Sequence, residues 1–199
     1  MTTVECEKKI LLFENEFQLL YQLFFDGMPP REQRNYYYDT DDRAFQKKNT
    51  TIRIREKDGQ YLGTVKTHSE DDSDCSIEES FRIQNVPESL EYEGTRLTVR
   101  GDLITERFET ELKYRVFLVL DRNRYLGKTD YELELEYPPQ RYEEAEIVMR
   151  LIETILNRHE PLERSASKSD RFFQRLDECY PPKKTKKQIK EGEKDNGRF

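Results

Sequence analysis

The stretch Val4-Glu5-Cys6-Glu7-Lys8-Lys9-Ile10 decides how this chain is read. Glu5, Glu7 and Lys9 recur with period two, so on a β-strand all three project from one face. Two carboxylates and an ammonium on one sheet face can hold a divalent cation beside a polyanion. A chain this rich in charge produces one such match by chance, so the run needs support from other strands.

That support comes from repeated alternation. Residues 51–55 place Ile52 and Ile54 on one face and Arg53 and Arg55 on the other. A strand over 61–66 follows the turn signal Asp58-Gly59. Further strands are predicted over 76–83, 96–100, 114–120 and 130–137. The polar stretch from Arg122 to Gly127 closes a hairpin between the last two. In 130–137 the apolar face is Tyr131, Leu133, Leu135 and Tyr137, opposite Glu132, Glu134 and Glu136. Helical spacing appears over 14–25, 141–157 and 168–179, and Pro181-Pro182 stops the third segment.

An ordinary half-buried antiparallel sheet accounts for each strand taken singly, with the polar face in water. A solvated face mixes signs, because like charges opposed across strands repel. Here Arg53 and Arg55 stand apart from Glu132, Glu134 and Glu136. That segregation suits a closed barrel with its charged face turned inward and its apolar face under helices. The expected fold class is therefore α+β, an eight-stranded antiparallel barrel with a charged interior and helices packed outside.

Composition sets the bounds. At 199 residues the chain makes one domain with a full core, expected over 1–180. The last nineteen residues, 181–199, hold seven Lys/Arg against three Asp/Glu and read as a disordered Lys-rich tail. The net charge of −7 speaks against nucleic acid as a partner. Cys6, Cys75 and Cys179 are widely spaced and odd in number, which predicts no disulfide framework and a reducing cytosol. No signal peptide or bilayer-length apolar run is visible, so the expected location is cytoplasmic, with no membrane partner. Cys6 alternates with the charged residues and should point outward as a small buried hydrophobe. His68 and His159 read as surface residues, without zinc spacing. Tyr36-Tyr37-Tyr38 reads as wall and core packing.

The chemistry of these residue types is specific. A polyphosphate needs Arg for forked contacts and Lys as a point charge. Its hydrolysis needs Mg²⁺ or Mn²⁺ on oxygen ligands to neutralise developing charge.

Five ordered motifs resemble the CYTH superfamily, also called triphosphate tunnel metalloenzymes. They are Glu5-x-Glu7-x-Lys9, Tyr37-Tyr38-Asp39-Thr40, Ile52-Arg53-Ile54-Arg55, Thr64-Val65-Lys66 and the late Glu-Leu-Glu strand. That superfamily includes class IV adenylate cyclases, thiamine triphosphatases and inorganic triphosphatases, and the likeness is greatest to its small bacterial members. The resemblance implies Glu5, Glu7, Glu132 and Glu134 as metal ligands, with Glu134/Glu136 as the other register of the same strand and Asp121 as a further ligand. It implies Lys9, Arg53, Arg55, Lys66, Lys168 and Arg171 on the triphosphate. A further basic residue from a middle strand is Arg82, Arg100, Arg107, Lys113 or Arg115, with Arg107 or Arg115 preferred. Glu78 and Glu79 are left without an assigned role. Lys9, Glu5 and Glu7 carry the catalytic expectation, a metal-dependent triphosphatase.

Two other functions stay open at this level: a cyclase forming cyclic AMP from ATP, and a non-catalytic polyphosphate-binding module. The expected partner is a small-molecule triphosphate, and a homodimer is the oligomer allowed for.

Overall fold

The computed structural model describes residues 1–68, 74–158 and 165–181. Nine strands form one antiparallel sheet: β1 (Thr2–Leu12), β2 (Arg31–Asp39), β3 (Thr50–Lys57), β4 (Gln60–His68), β5 (Cys75–Ile83), β6 (Ser89–Tyr92), β7 (Thr95–Lys113), β8 (Val116–Tyr125) and β9 (Lys128–Tyr137). Their order is β2-β3-β4-β5-β1-β9-β8-β7-β6, and β2 also pairs with β7. That last pairing closes eight strands into a barrel and leaves β6 as an added edge strand on β7. Helix α1 (Glu14–Phe24) follows β1, α2 (Tyr142–Ile155) follows β9, and α3 (Lys168–Cys179) ends the described chain.

The alternation read from sequence sorts the two sides of this wall. Ile10, Leu12, Leu118, Leu120, Leu133 and Leu135 face outward, where α1 packs Phe17 and Leu20 and α2 packs Met149 and Ile152 against them. A second outer cluster covers β2, β3 and β4: Tyr38, Ile52, Ile54 and Val65 pack with Phe45, Leu97, Leu90 and Tyr92. These two clusters cover most of the outward apolar face, while Val4, Ile77 and Phe81 on the outer side of β1 and β5 stay exposed; the charged face lies on the barrel interior.

Helix α3 enters that interior. Phe172, Phe173 and Leu176 pack against Tyr37, Leu103 and Tyr125, which belong to the lumenal face. Gly101 permits the approach: at φ 143° it adopts a conformation open to glycine, and a Cβ there would stand 2.8 Å from the Phe172 ring. Ser167 caps the helix by accepting from the Asp170 amide at 3.1 Å, which fixes where Lys168 and Arg171 enter the lumen.

Several expectations are corrected here. The strand expected over 96–100 runs on to Lys113, and β2 and β6 were not foreseen. Arg115 lies in the exposed turn between β7 and β8, with φ 61°, and does not reach the lumen. Cys6 does point outward, beside Val116, Tyr137 and Ala145, but it is disulfide-bonded to Cys75. The two are cross-strand partners on β1 and β5 although 69 positions apart in sequence. The absence of a disulfide, and the compartment inferred from it, therefore lose their premise. Apart from Pro181, the Lys-rich tail lies outside the described residues, as does His159.

Candidate active site

The lumenal face carries two opposed walls, set by strand pairing. On one side Tyr37 pairs with Arg53, and Asn35 with Arg55, across β2 and β3. On the other, Glu7 pairs with Glu136 and Lys9 with Glu134 across β1 and β9. Glu5, Glu7, Lys9, Arg53, Arg55, Lys66, Arg107, Glu134, Glu136 and Lys168 line one internal cavity. Of the residues singled out from sequence, these ten share one space. Arg82 is exposed and lines a separate groove, Arg100 is engaged with Asp41, and Lys113 is exposed.

Glu132 is fully buried below this cavity. Arg171 grips it in a forked pair at 2.9 and 3.2 Å, and also bonds Asp130 at 3.0 Å. Lys168 reaches Asp121, Glu132 and Glu134 at 2.9, 2.7 and 2.6 Å. Arg107 bonds Asp121 through Nε at 3.0 Å, Glu134 at 2.6 Å and Glu136 at 2.8 Å. Lys9 and Lys66 both converge on Glu7, at 2.6 and 3.2 Å, and Lys66 holds Glu5 at 2.8 Å. The three-Glu strand thus divides into Glu132, committed to α3, and Glu134 and Glu136, which face the space shared with Glu5 and Glu7.

These pairs shift the titration of the wall. Burial opposes the charge on Glu134, yet Lys168 and Arg107 outweigh it and bring its carboxyl down to about 2. Glu7 is likewise buried and held well below the usual carboxylate range by Lys66 and Lys9. Glu136 goes the other way: burial and the negative charges of Glu134, Glu5 and Glu7 push it up to about 7 despite Arg107. Negative charge is thus under-compensated where those four carboxylates meet.

The opposite wall has the converse imbalance. The Arg55 Nε donates to the neutral amide oxygen of Asn35 at 3.0 Å, and among the described residues no carboxylate pairs with it. Burial, together with Arg53 and Arg107, pushes Arg55 down to about 10. Arg53 reaches Glu78 at 3.4 Å, while its Nε and the Tyr37 hydroxyl are buried without a hydrogen-bond partner. Buried donors left open in this way are exceptions that water, an ion or a ligand can satisfy. Glu79, cross-strand from Val65, lies on the outer face.

Sequence reading missed three features of this space. Tyr37 is expected to pack; its ring does pack on Phe172, and the residue also lines the cavity with its hydroxyl unpartnered. His68, read as a surface residue, lines the cavity, as do Thr51 and Ser169, whose hydroxyls bond at 2.8 Å.

Metal fit follows from donor chemistry. Among the described residues no three His, Cys, Asp or Glu side chains are grouped to hold an ion, because the lumenal carboxylates are turned onto Lys and Arg. Their oxygens are the donors hard divalent cations take, and the raised Glu136 marks where added positive charge would be favourable. Charge balance agrees. Lys9, Arg53, Arg55, Lys66, Arg107, Lys168 and Arg171 face Glu5, Glu7, Glu78, Asp121, Asp130, Glu132, Glu134 and Glu136, seven cations against eight anions. A polyanion entering so nearly neutral a lumen requires cations with it.

The fold is thus a closed antiparallel barrel with opposed basic and acidic walls on its inner face. The chain belongs to the CYTH family: the CYTH domain model matches residues 3–173. It is 32% identical over 148 residues to YjbK of Bacillus subtilis (strain 168), a candidate triphosphatase, covering 67% of this chain and 77% of that protein. Its fold matches that of a candidate adenylate cyclase from Bacillus halodurans, with a TM-score of 0.71, 27% identity and coverage of 86% and 98% of the two chains. It also matches HpAC1 from Hippeastrum, a candidate adenylyl cyclase with dominant triphosphatase activity, at a TM-score of 0.61 and 18% identity, covering 87% and 96%. CYTH proteins are triphosphatases or cyclases that depend on metal. No helix among the described residues is long and apolar enough to cross a membrane.

Proposed function

We propose that this protein is a divalent-metal-dependent triphosphatase acting on inorganic triphosphate or a triphosphate ester within the barrel. The observation that carries the reading is the basic wall left open: Tyr37 Oη and Arg53 Nε buried without partners, beside an Arg55 that hydrogen-bonds an amide and, among the described residues, pairs with no carboxylate. Those groups suit phosphate oxygens, which accept forked and charge-assisted hydrogen bonds.

Substrate phosphates would lie along Arg53, Arg55, Lys66 and Lys168, with Arg107 at the end nearest Glu134 and Glu136. Binding exchanges partners: the ammonium and guanidinium groups now on carboxylates turn to phosphate oxygens, freeing Glu5, Glu7, Glu134 and Glu136. Those four would hold Mg²⁺ or Mn²⁺, and Asp121 and Glu132 would brace Lys168 and Arg171 behind them. The metal supplies charge neutralisation at the phosphoryl group and orientation for water. Lys9, joined to Glu7, positions that water or a terminal phosphate oxygen. Catalysis is then mainly positioning and electrostatics.

The hydrolase reading is preferred to the cyclase because, among the described residues, the cavity lining is polar and charged apart from the Tyr37 and His68 rings and offers no aliphatic shelf for a base. Phosphate release should be measured from inorganic triphosphate, thiamine triphosphate and ATP with Mg²⁺ and with Mn²⁺, with cyclic AMP followed in parallel. Activity surviving both Glu5→Gln and Glu7→Gln would sink the mechanism.

A further inference from the structure

Strand register divides the lumenal cations into two kinds. Lys9 stands directly opposite Glu134, Lys66 opposite Glu78, and Arg107 opposite Asp121. Each of these cations has a carboxylate in the position where sheet geometry brings side chains closest. The two arginines of β3 do not. Arg53 lies between Tyr37 on β2 and Thr64 on β4, and Arg55 between Asn35 and Leu62.

At Arg55 the neighbour on β2 is more than a missing acid. Asn35 is 1% exposed, and its amide oxygen accepts from the Arg55 Nε at 3.0 Å. That bond engages only the inner nitrogen of the guanidinium. Nη1 and Nη2 make no hydrogen bond to other described residues, and Arg55 lines the lumenal cavity. Gln33 and Tyr37, two positions either side of Asn35, line the same cavity and are likewise uncharged. Strand β2 therefore sets a neutral row beside the arginine row.

An aspartate would fill the same volume as Asn35 and give Arg55 a charge-assisted bond, the stronger kind. It would also compensate a guanidinium that burial leaves without a counter-charge, which is a costly condition inside a protein. For folding alone, position 35 favours the acid. The amide achieves what the acid cannot, since it orients Arg55 and leaves the positive charge undiminished.

Building on the triphosphatase reading, we propose that Asn35 is a positioning residue that sets affinity for the triphosphate. Its uncharged oxygen aims the Arg55 guanidinium, and its lack of charge keeps Nη1 and Nη2 available to phosphate oxygens.

The test compares the full chain with Asn35→Asp by melting curves without ligand, titration calorimetry with inorganic tripolyphosphate, and phosphate release with Mg²⁺. The added carboxylate should raise the melting temperature, because it gives Arg55 a partner. It should weaken tripolyphosphate binding about tenfold or more. KM should rise in step with Kd while kcat at saturation holds within about twofold, the mark of binding lost equally from substrate and transition state. Asn35→Ala removes the acceptor without adding charge and should weaken binding less than Asn35→Asp. Asn15→Asp, exposed on α1, makes the same change of net charge outside the barrel and should match the parent in all three measurements.

Unaltered binding in Asn35→Asp overturns the assignment, as does an equal loss in Asn35→Ala or Asn15→Asp. Weaker binding joined to a lower melting temperature overturns it too, since a packing role alone gives that result. Tripolyphosphate bound but not hydrolysed by the parent overturns the triphosphatase reading alone, and the comparison of Kd values still decides for Asn35. A parent that does not bind tripolyphosphate overturns both.

Discussion

Tyr37 and Arg53 are cross-strand partners on β2 and β3, and each holds a buried polar atom without a hydrogen-bond partner, the tyrosine hydroxyl and the guanidinium Nε. An unpaired buried hydroxyl costs about 1–3 kcal/mol, so removing it should not harm the empty protein. Tyr37→Phe is expected to leave thermal stability unchanged or raised. It should weaken triphosphate binding or turnover about tenfold or more, since a hydrogen bond to a charged group contributes roughly 1.5–3 kcal/mol. Melting curves and steady-state hydrolysis check both halves. A lower melting temperature with unaltered kinetics would refute the assignment.

Lys168 is surrounded by Asp121, Glu132 and Glu134, two of them fully buried. Lys168→Met leaves those charges without their shared ammonium, and breaking a buried pair from one side costs about 3–5 kcal/mol. Urea unfolding should show a loss of that order at neutral pH. Mn²⁺ should recover part of it by replacing the missing positive charge among the same oxygens. A variant as stable as the parent would show that the shared ammonium does not stabilise the fold.

Away from the lumen, Glu16 tests the electrostatics of the outer shell. Burial raises its carboxyl, but Arg158, at 2.8 Å, and the Phe13 amide, at 2.7 Å, together hold it below its ordinary 4.5. A depressed folded value means that this group's stabilising effect is present above pH 4.5 and is lost as pH falls through the folded value. Glu16→Gln should therefore cost about 1 kcal/mol at pH 7, with parent and variant converging in acid. A difference that stays constant from pH 7 to pH 3 would contradict this account.

The Cys6–Cys75 bond closes a loop of 69 positions at the seam between β1 and β5. Loop-closure entropy for that length predicts a loss of about 4 kcal/mol on reduction. Calorimetry with and without dithiothreitol should show a fall in melting temperature on the order of 10 °C. Identical transitions under both conditions would mean that strand pairing alone secures the seam.

Much of this architecture could be read from periodicity. In β1, β3 and β9, side chains two apart must share a face, so the grouping of Glu5 with Glu7, Arg53 with Arg55, and Glu134 with Glu136 follows from local geometry. Segregation of sign between those strands pointed to an interior face. By contrast β2, with Arg31-Glu32-Gln33-Arg34-Asn35, is polar on both faces, and in β7 the outward Phe108 is isolated among Glu106, Arg107 and Glu109, so neither gave a clear alternation to follow.

Tertiary structure alone decided the rest. Which face is inside depends on β2 closing onto β7, a pairing between segments some seventy residues apart. Which glutamates meet Glu5 and Glu7 depends on the register of β1 against β9, which sets Glu7 opposite Glu136 and leaves Glu132 to Arg171. Arg107 and Arg115 looked alike in sequence, but Arg107 lies mid-strand on the lumenal face, whereas Arg115 sits in a left-handed turn. The partnership of Cys6 with Cys75 belongs to the same category. Local spacing determines which side chains share a face; only long-range hydrogen bonding, through register and closure, determines what that face meets.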